Sequence, residues 1–286
     1  QTFLKGQILE KLGQNQTAEE YWTNQLAQAH TLYQKGLFET ALSKHLNIKQ
    51  DYSAFIGKQA KISQPNLQKQ FITQQANIDS LDKIIQSNQS TVDQKQAAIH
   101  TLLSKSLVHQ RFDLFQQKYS YLPKNASEYK GYSSAKEHLK NKPEFANFIW
   151  NGSNITAQLK CDNLLTLTQQ LSKLPNDPLL NICLGEFMRS EQGYSLQQLS
   201  YDEQQKPTIS GKIFARGEIY KDIIKSSRKD DLHAYALYRA IQCYAPSGIN
   251  DCGGIEVTKN TRKQWYDQIK RDYPTSAWAK SLKYYW

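Results

Sequence analysis

Three observations predict an all-α fold of roughly a dozen helices for this chain of 286 residues. Glycine and proline are scarce, at 13 and 8 residues, so tight turns are few. The good helix formers Leu, Ala, Gln and Lys are abundant. Apolar residues also recur at helical spacing through the Gln-rich tracts, which marks those tracts as solvated helix faces and not as low-complexity disorder. The length suits one extended domain or two compact ones, with ample core either way.

Taken in order, residues 1–15 read as a short amphipathic helix carrying Phe3, Leu4, Ile8 and Leu12, ended by Gly13 and Asn15. Thr17, with Glu20 three residues on, predicts a capping box and a helix to about Gln34 that breaks at Gly36. A second helix follows with Phe38, Ala41, Leu42, Leu46 and Ile48. Tyr52 to Leu67 and Phe71 to Ile85 predict one element each. A third runs from Val92 to Leu107, and His109–Arg111 connects it to a partner helix that opens on Phe112. Residues 1–122 are thus read as N-terminal helical repeats.

Residues 123–160 are the least regular stretch and the expected connector, with short helices near 134–141 and 144–150. The run Lys136, His138, Lys140, Lys142 there reads as a solvated basic face. Regular helices resume over 161–286. Leu164, Leu167, Leu171 and Leu174 form one stripe, and Leu180, Cys183, Leu184, Phe187 and Met188 the next. Asp177 caps that second helix and Pro178 opens it. The polar segment beyond Tyr194 predicts one short helix, Ile213 to Ile224 a further one. Asp231 is read as the cap of a helix bearing Ala234, Leu237, Ala240, Ile241 and Tyr244. The last helix bears Trp265, Ile269 and Tyr273.

The net charge is +10, and residues 206–286 hold 15 Lys and Arg against 8 Asp and Glu. A field of this sign favours acidic partners, an acidic protein face or an anionic cell-wall polymer. No helix-turn-helix, zinc finger or RNP-like aromatic motif occurs, so nucleic acid is not the expected partner. No apolar run of about 18 residues predicts a membrane-spanning helix. The chain opens on Gln1 without a Met, as a processed chain would, which leaves room upstream for an export signal or lipid anchor.

The four cysteines stand at 161, 183, 243 and 252, with no CxxC pair to suggest zinc. An even count suits an oxidising compartment. Cys243 and Cys252 bracket YAPSGIND, whose Pro246 and Gly248 let the chain fold back, and a disulfide is expected between them. Closing so short a loop stabilises by about 2.5–3 kcal/mol in the chain-entropy picture. Cys161 and Cys183 look less suited. On a regular helical hairpin turning at Pro175–Pro178 they fall roughly 10 Å out of step, too far for a bond. Either that hairpin is irregular, or the two are separate buried thiols.

Three clusters carry a resemblance. Ala29, Leu32, Gly36, Phe38 and Ala41 resemble a tetratricopeptide repeat, in which small residues let two helices approach and a glycine turns the chain. LPNDP (174–178) followed by Leu184-Gly185 is similar in kind. Tyr273-Pro274, Ser276 and Ala279 resemble the ending of such repeats in bacterial envelope proteins, among them the outer-membrane assembly lipoprotein and the Tol-associated periplasmic coordinators. The resemblance implies a right-handed solenoid in the periplasm that binds a protein partner of an envelope machine without being an enzyme.

Residues that could do chemistry are few. Met188-Arg189-Ser190-Glu191-Gln192-Gly193-Tyr194 faintly resembles the catalytic Glu-Ser segment of lytic transglycosylases, with Gln192 where the Ser belongs. It supports only a secondary expectation, a peptidoglycan-binding or weakly hydrolytic module with Glu191 as the acid. The six His lack the i, i+4 spacing of a helical metal site, and no GxSxG, Walker or GxGxxG motif occurs, so neither metal, cofactor nor catalytic residue is expected. The aromatic tail, Trp265, Tyr266, Tyr273, Trp278, Tyr284, Tyr285 and Trp286, predicts a cap over the last helices. The expected partner face is Arg262, Lys263, Trp265, Tyr266, Lys270 and Arg271, because Tyr, Trp and Arg dominate protein interfaces.

Overall fold

The computed structural model describes residues 2–126, 145–209, 211–245 and 247–285. The Lys136–Lys142 run, the helix expected near 134–141, Pro246 and Trp286 lie outside them. Among the described residues the fold is all-α, with fourteen α-helices and one two-residue antiparallel strand pair. In chain order these are α1 (Thr2–Lys11), α2 (Asn15–Ala27), α3 (Leu32–Lys49), α4 (Pro65–Gln70), α5 (Ile78–Gln86), α6 (Val92–Val108) and α7 (Phe112–Tyr119). Then follow β1 (Ser153–Asn154), β2 (Lys160–Cys161), α8 (Leu164–Lys173), α9 (Pro178–Arg189), α10 (Tyr194–Gln205) and α11 (Arg216–Lys225). The last are α12 (Asp231–Gln242), α13 (Lys259–Asp272) and α14 (Ala277–Ser281). The chain divides into two compact units, and the division falls within α6, between Leu103 and Ser104.

In the first unit α1 packs on α2 and α2 on α3 around Trp22, which is fully buried between Phe3 and Phe38. Gly6 faces Trp22 so closely that a Cβ there would overlap the indole ring. Ala is better than Gly inside a helix by about 1 kcal/mol, but forcing extra atoms into a packed core costs about 1–3 kcal/mol. Gly6→Ala is therefore expected to lower the urea midpoint of this unit, with Trp fluorescence as the probe; an unchanged or raised midpoint would show that the indole yields freely. Glu10 accepts a hydrogen bond from Trp22 Nε1 at 2.9 Å and lies 3.1 Å from His45 Nε2. Partial burial alone would raise the Glu10 pKa. The hydrogen bonds from Trp22 and His45, with the charge of Lys44, outweigh it and hold the carboxyl below its ordinary value.

Helix boundaries here differ from the sequence expectation. Thr17 sits inside α2, which starts at Asn15, and the turn comes at residues 28–31, not at Gly36. α2 has no side-chain cap, and the capping box belongs to α3, at Thr31. Its hydroxyl accepts from Gln34 N at 3.1 Å, while the Gln34 side chain accepts from Thr31 N at 3.2 Å, a capping box with Gln in place of Glu. Gly36 then lies within α3, where a lone glycine is tolerated, and its carbonyl accepts from Gln64 Nε2. Leu32 is 89% exposed, so of the first repeat-like cluster only Phe38 and Ala41 are core.

The expected element from Tyr52 to Leu67 is a single 3-10 turn at Tyr52–Ala54, an irregular stretch, and α4 opened by Pro65. The next breaks too, because a π turn at Phe71–Gln75 ends α4 and Asn77 caps α5 afresh. Gln50 holds this corner. Its Nε2 donates to Gln75 O at 2.9 Å and its Oε1 accepts from Asn77 N at 2.7 Å.

In the second unit α7 packs on α8, α8 on α9, α9 on α10 and α11, α11 on α12, and α12 on α13 and α14. Cys161 and Cys183 are disulfide-bonded, with Cα atoms 5.3 Å apart. This corrects the expectation that they stand out of step. The mismatch holds only if Cys161 continues the helix, but Asn163 caps α8, and Cys161 lies before it on extended chain. β2 pairs with β1 and lays Cys161 against the middle of α9. Leu174, expected in the stripe of α8, is 59% exposed beyond the helix end. Ile213 and Phe214 precede α11 instead of lying in it.

The cap of α12 is Asp230, one residue before the expected Asp231, and its carboxylate accepts from His233 N. His233 is buried, 2.8 Å from the Tyr273 hydroxyl and 3.2 Å from the Ile224 carbonyl. Ser276 caps α14 and Ala279 packs beneath it, so the Tyr-Pro, Ser, Ala ending serves as a helix joint.

Candidate binding cleft

The α9–α10 corner frames a cleft in the second unit. α9 stops at Ser190, whose hydroxyl donates to Phe187 O and accepts from Gly193 N. A Cβ on Gly193 would run into the Phe187 carbonyl, so only glycine allows α10 to start this close to α9. Along α10 the residues Leu196, Ser200 and Glu203 face inward at helical spacing. The opposite stripe, Tyr194, Gln198 and Tyr201, faces out, with the tyrosines 71% and 57% exposed.

A buried polar cluster holds α10 in place. The Glu203 carboxylate lies 3.3 Å from Lys105 Nζ and 3.0 Å from His109 Nε2. It also accepts from the Thr208 amide at 2.8 Å and the Thr208 hydroxyl at 2.7 Å. Burial would push the Glu203 pKa up. The hydrogen bonds from His109 and Thr208 and the Lys105 charge win, and hold it down to about 2. Burial lowers the Lys105 ammonium pKa, partly offset by Glu203. Nearby, the Ser200 hydroxyl donates to the Phe214 carbonyl at 2.7 Å.

The facing wall is the loop between α12 and α13, pinned by the Cys243–Cys252 disulfide, as expected. Asp251 N donates to Cys243 O at 3.0 Å and Cys252 N to Asn250 Oδ1 at 3.0 Å. Arg216, only 4% exposed, donates Nη2 to the Asp251 carbonyl at 2.7 Å. Further on, Glu218 accepts from Ile255 N at 2.6 Å and Lys221 donates to Ile255 O at 2.8 Å. The hydrogen bonds from Lys221 and Ile255 and the charges of Lys221 and Lys225 outweigh partial burial and depress the Glu218 pKa. Such cross-linking fixes the wall before anything binds.

Between α10 and this loop lies a cleft of about 350 Å³, at the lower end of the small-ligand range of about 300–1,000 Å³. Tyr194, Tyr201 and Ile249 line its mouth, Phe214 and Met188 its floor. Gln197, Gln198, Gln204 and Asn250 supply amides, and among the described residues the only charged ones lining it are Arg216 and Asp251. Cys243, Asp251 and Cys252 bring two sulfurs and a carboxylate within 4.8 Å of one another. Both sulfurs are spent in the disulfide, so the trio is no metal site in the oxidised protein.

The partner face expected from sequence lies on α13, with its cations already engaged. Arg262 stacks its guanidinium over Tyr244 at 4.5 Å, and Lys263 pairs with Asp267 at 2.6 Å. Lys270 donates to the Ala279 and Leu282 carbonyls at 2.6 and 2.8 Å, and Arg271 pairs with Asp272 at 2.7 Å. Trp265 and Tyr266 are half-buried against α12 and the C-terminal segment. Glu191 is exposed in the turn after α9 and makes no hydrogen bond or ion pair among the described residues.

The cleft residues carry little signal in the sequence. Tyr194 and Tyr201 sit in a stretch read only as polar, although their seven-residue spacing on one helix was a legible signal. The Lys105–Glu203 pair carries no local signal, since 98 residues separate its members.

No family model matches this chain, and neither does any curated protein or solved structure. The resemblance to tetratricopeptide-like envelope proteins rests on short packing motifs alone.

Proposed function

We propose that this chain is a non-enzymatic binding scaffold of an oxidising, extracytoplasmic compartment, with the periplasm as the site implied by its repeat-like motifs. The serial packing of neighbouring helices in the second unit supports reading that unit as tandem helical hairpins of tetratricopeptide type. Its disulfides, Cys161–Cys183 and Cys243–Cys252, support the compartment. No described helix is long and apolar enough to cross a membrane. One observation carries the binding role. The cleft exposes two tyrosines on a helix locked by the Glu203 cluster, opposite a loop locked by a disulfide and Arg216. Prefixed walls of this kind spare the ordering entropy that a mobile site spends on binding.

In this reading the cleft, more than the face of α13, contacts the cargo or partner in the cell envelope. The test is affinity capture from a bacterial envelope extract by wild-type protein and by Tyr194→Ala/Tyr201→Ala, both with intact disulfides. The wild type is expected to retain at least one envelope component in stoichiometric amount and the variant to lose it. Equal capture by the two proteins, or none by either, would sink the cleft as the binding surface.

A further inference from the structure

We propose that this cleft takes an extended, uncharged glycan, with Tyr194 and Tyr201 stacking against alternate sugar rings. The inference rests on the cleft being the chain's binding surface and adds the chemical class of its ligand. Tyr194 and Tyr201 stand seven residues apart on α10, which separates them by about 10.5 Å along the axis. Their directions differ by only about 20°. Both rings are largely exposed, and among the described residues neither makes a hydrogen bond or ring contact. Two aromatic plates at this interval match the repeat of an extended 1,4-linked glycan, in which every second ring presents the same face. The apolar C–H face of a pyranose stacks on an aromatic ring much as other flat apolar surfaces do.

The residues between the plates fit hydroxyl groups. Gln197 donates its amide nitrogen to Met188 O at 2.7 Å and Gln198 donates to Asp202 at 2.8 Å. Each is thereby oriented with its Oε1 still uncommitted among the described residues, an acceptor held at the cleft. Asn250 is fixed across the cleft by Cys252 N and Gly253 O.

Charge argues for a neutral ligand. The protein carries +10 overall, yet among the described residues the cleft is lined by one cation and one anion, and the cation, Arg216, is buried and donates to the Asp251 carbonyl. An anionic polymer would be drawn elsewhere. The peptide alternatives fit less well. A β-strand peptide repeats its side chains at about 6.6 Å per two residues, out of register with the two rings. A polyproline-type peptide has a nearer period, about 9.3 Å for three residues, but proline supplies no N–H to the waiting amide oxygens.

The test is calorimetric titration of the whole oxidised chain with the tetrasaccharide of β-1,4-linked N-acetylglucosamine. The disaccharide, an anionic tetragalacturonate and a proline-rich decapeptide serve as comparison ligands. The tetrasaccharide is expected to bind with one site and at least tenfold more tightly than the disaccharide, which reaches only one ring. Tyr194→Ala/Tyr201→Ala is expected to weaken it at least tenfold and Tyr194→Phe/Tyr201→Phe less than threefold, because stacking needs the ring and not the hydroxyl. Both substituted side chains are exposed, so the folded state is retained, and far-UV circular dichroism checks it. No saturable tetrasaccharide binding by the wild type, undiminished binding by the double-alanine variant, or preference for the galacturonate or the peptide would each overturn the glycan assignment. If the saccharide fails while envelope capture still depends on the two tyrosines, the ligand class is wrong and the binding role stands. If capture is independent of them as well, both fall.

Discussion

Glu203→Gln should destabilise the second unit by about 3–5 kcal/mol, the cost of breaking a buried ion pair by removing one partner. The amide nearly preserves shape, so packing is not the cause. The loss lies in charge. The Lys105 side chain is fully buried and that of Glu203 is 3% exposed, and removing the carboxylate takes away a negative charge 3.3 Å from the buried ammonium. Only one of the two oxygens survives as an acceptor, and Lys105, His109 and the Thr208 amide and hydroxyl would compete for it. Replacing Lys105 by Met in the same chain should recover part of the loss, because the buried cation that Glu203 offsets is then gone. If the single variant unfolds at the wild-type urea concentration, the cluster contributes nothing to stability.

The same carboxylate sets an acid response whose sign follows from its depressed pKa. Glu203 titrates near 4.5 when unfolded and is held to about 2 in the fold. Its stabilisation is therefore fully present above pH 4.5 and disappears as the pH falls through 2. Urea midpoints measured between pH 5 and 2 should drop for the wild type. The drop should be smaller for Glu203→Gln, which has no carboxyl to protonate at this position. Parallel curves would refute the assignment. Since α10 forms one wall of the cleft, ligand binding should fail over the same acid range.

Replacing Cys161 and Cys183 together by Ser should cost about 3 kcal/mol, since the bond closes a loop of some twenty residues in the unfolded chain. Its structural role adds to that figure. β2 is only two residues long, and a two-stranded ladder of this size is not stable by itself. The bond fastens it to the middle of α9, the helix on which α8, α10 and α11 all pack. Loosening should reach the cleft as a lower affinity as well as a lower urea midpoint. The chemistry has a direct check. With every cysteine paired, thiol titration in denaturant without reductant should find none of the four reactive. Two or more reactive thiols would contradict at least one bond.

By itself the sequence determined the helical class, because helix formation depends on local spacing and composition. The stripe of α9, with Asp177 capping and Pro178 opening it, and the Cys243–Cys252 loop are local in the same sense. Local signals misplace the helix ends elsewhere. Thr17 looks like a cap and Gly36 like a stop, but α2 already starts at Asn15, and the reciprocal Thr31–Gln34 bonds start α3 ahead of Gly36. The Cys161–Cys183 bond was beyond local reasoning, because it depends on where an extended segment crosses a helix. The cleft was beyond it for a similar reason. Tyr194 and Tyr201 were visible as residues, but only tertiary structure decided that they stay exposed. It also brought Glu203 to Lys105 to lock their helix, and Arg216 to Asp251 to lock the loop opposite. Contacts between residues far apart in the chain depend on which buried charges and apolar surfaces find one another, and that is a property of the whole fold.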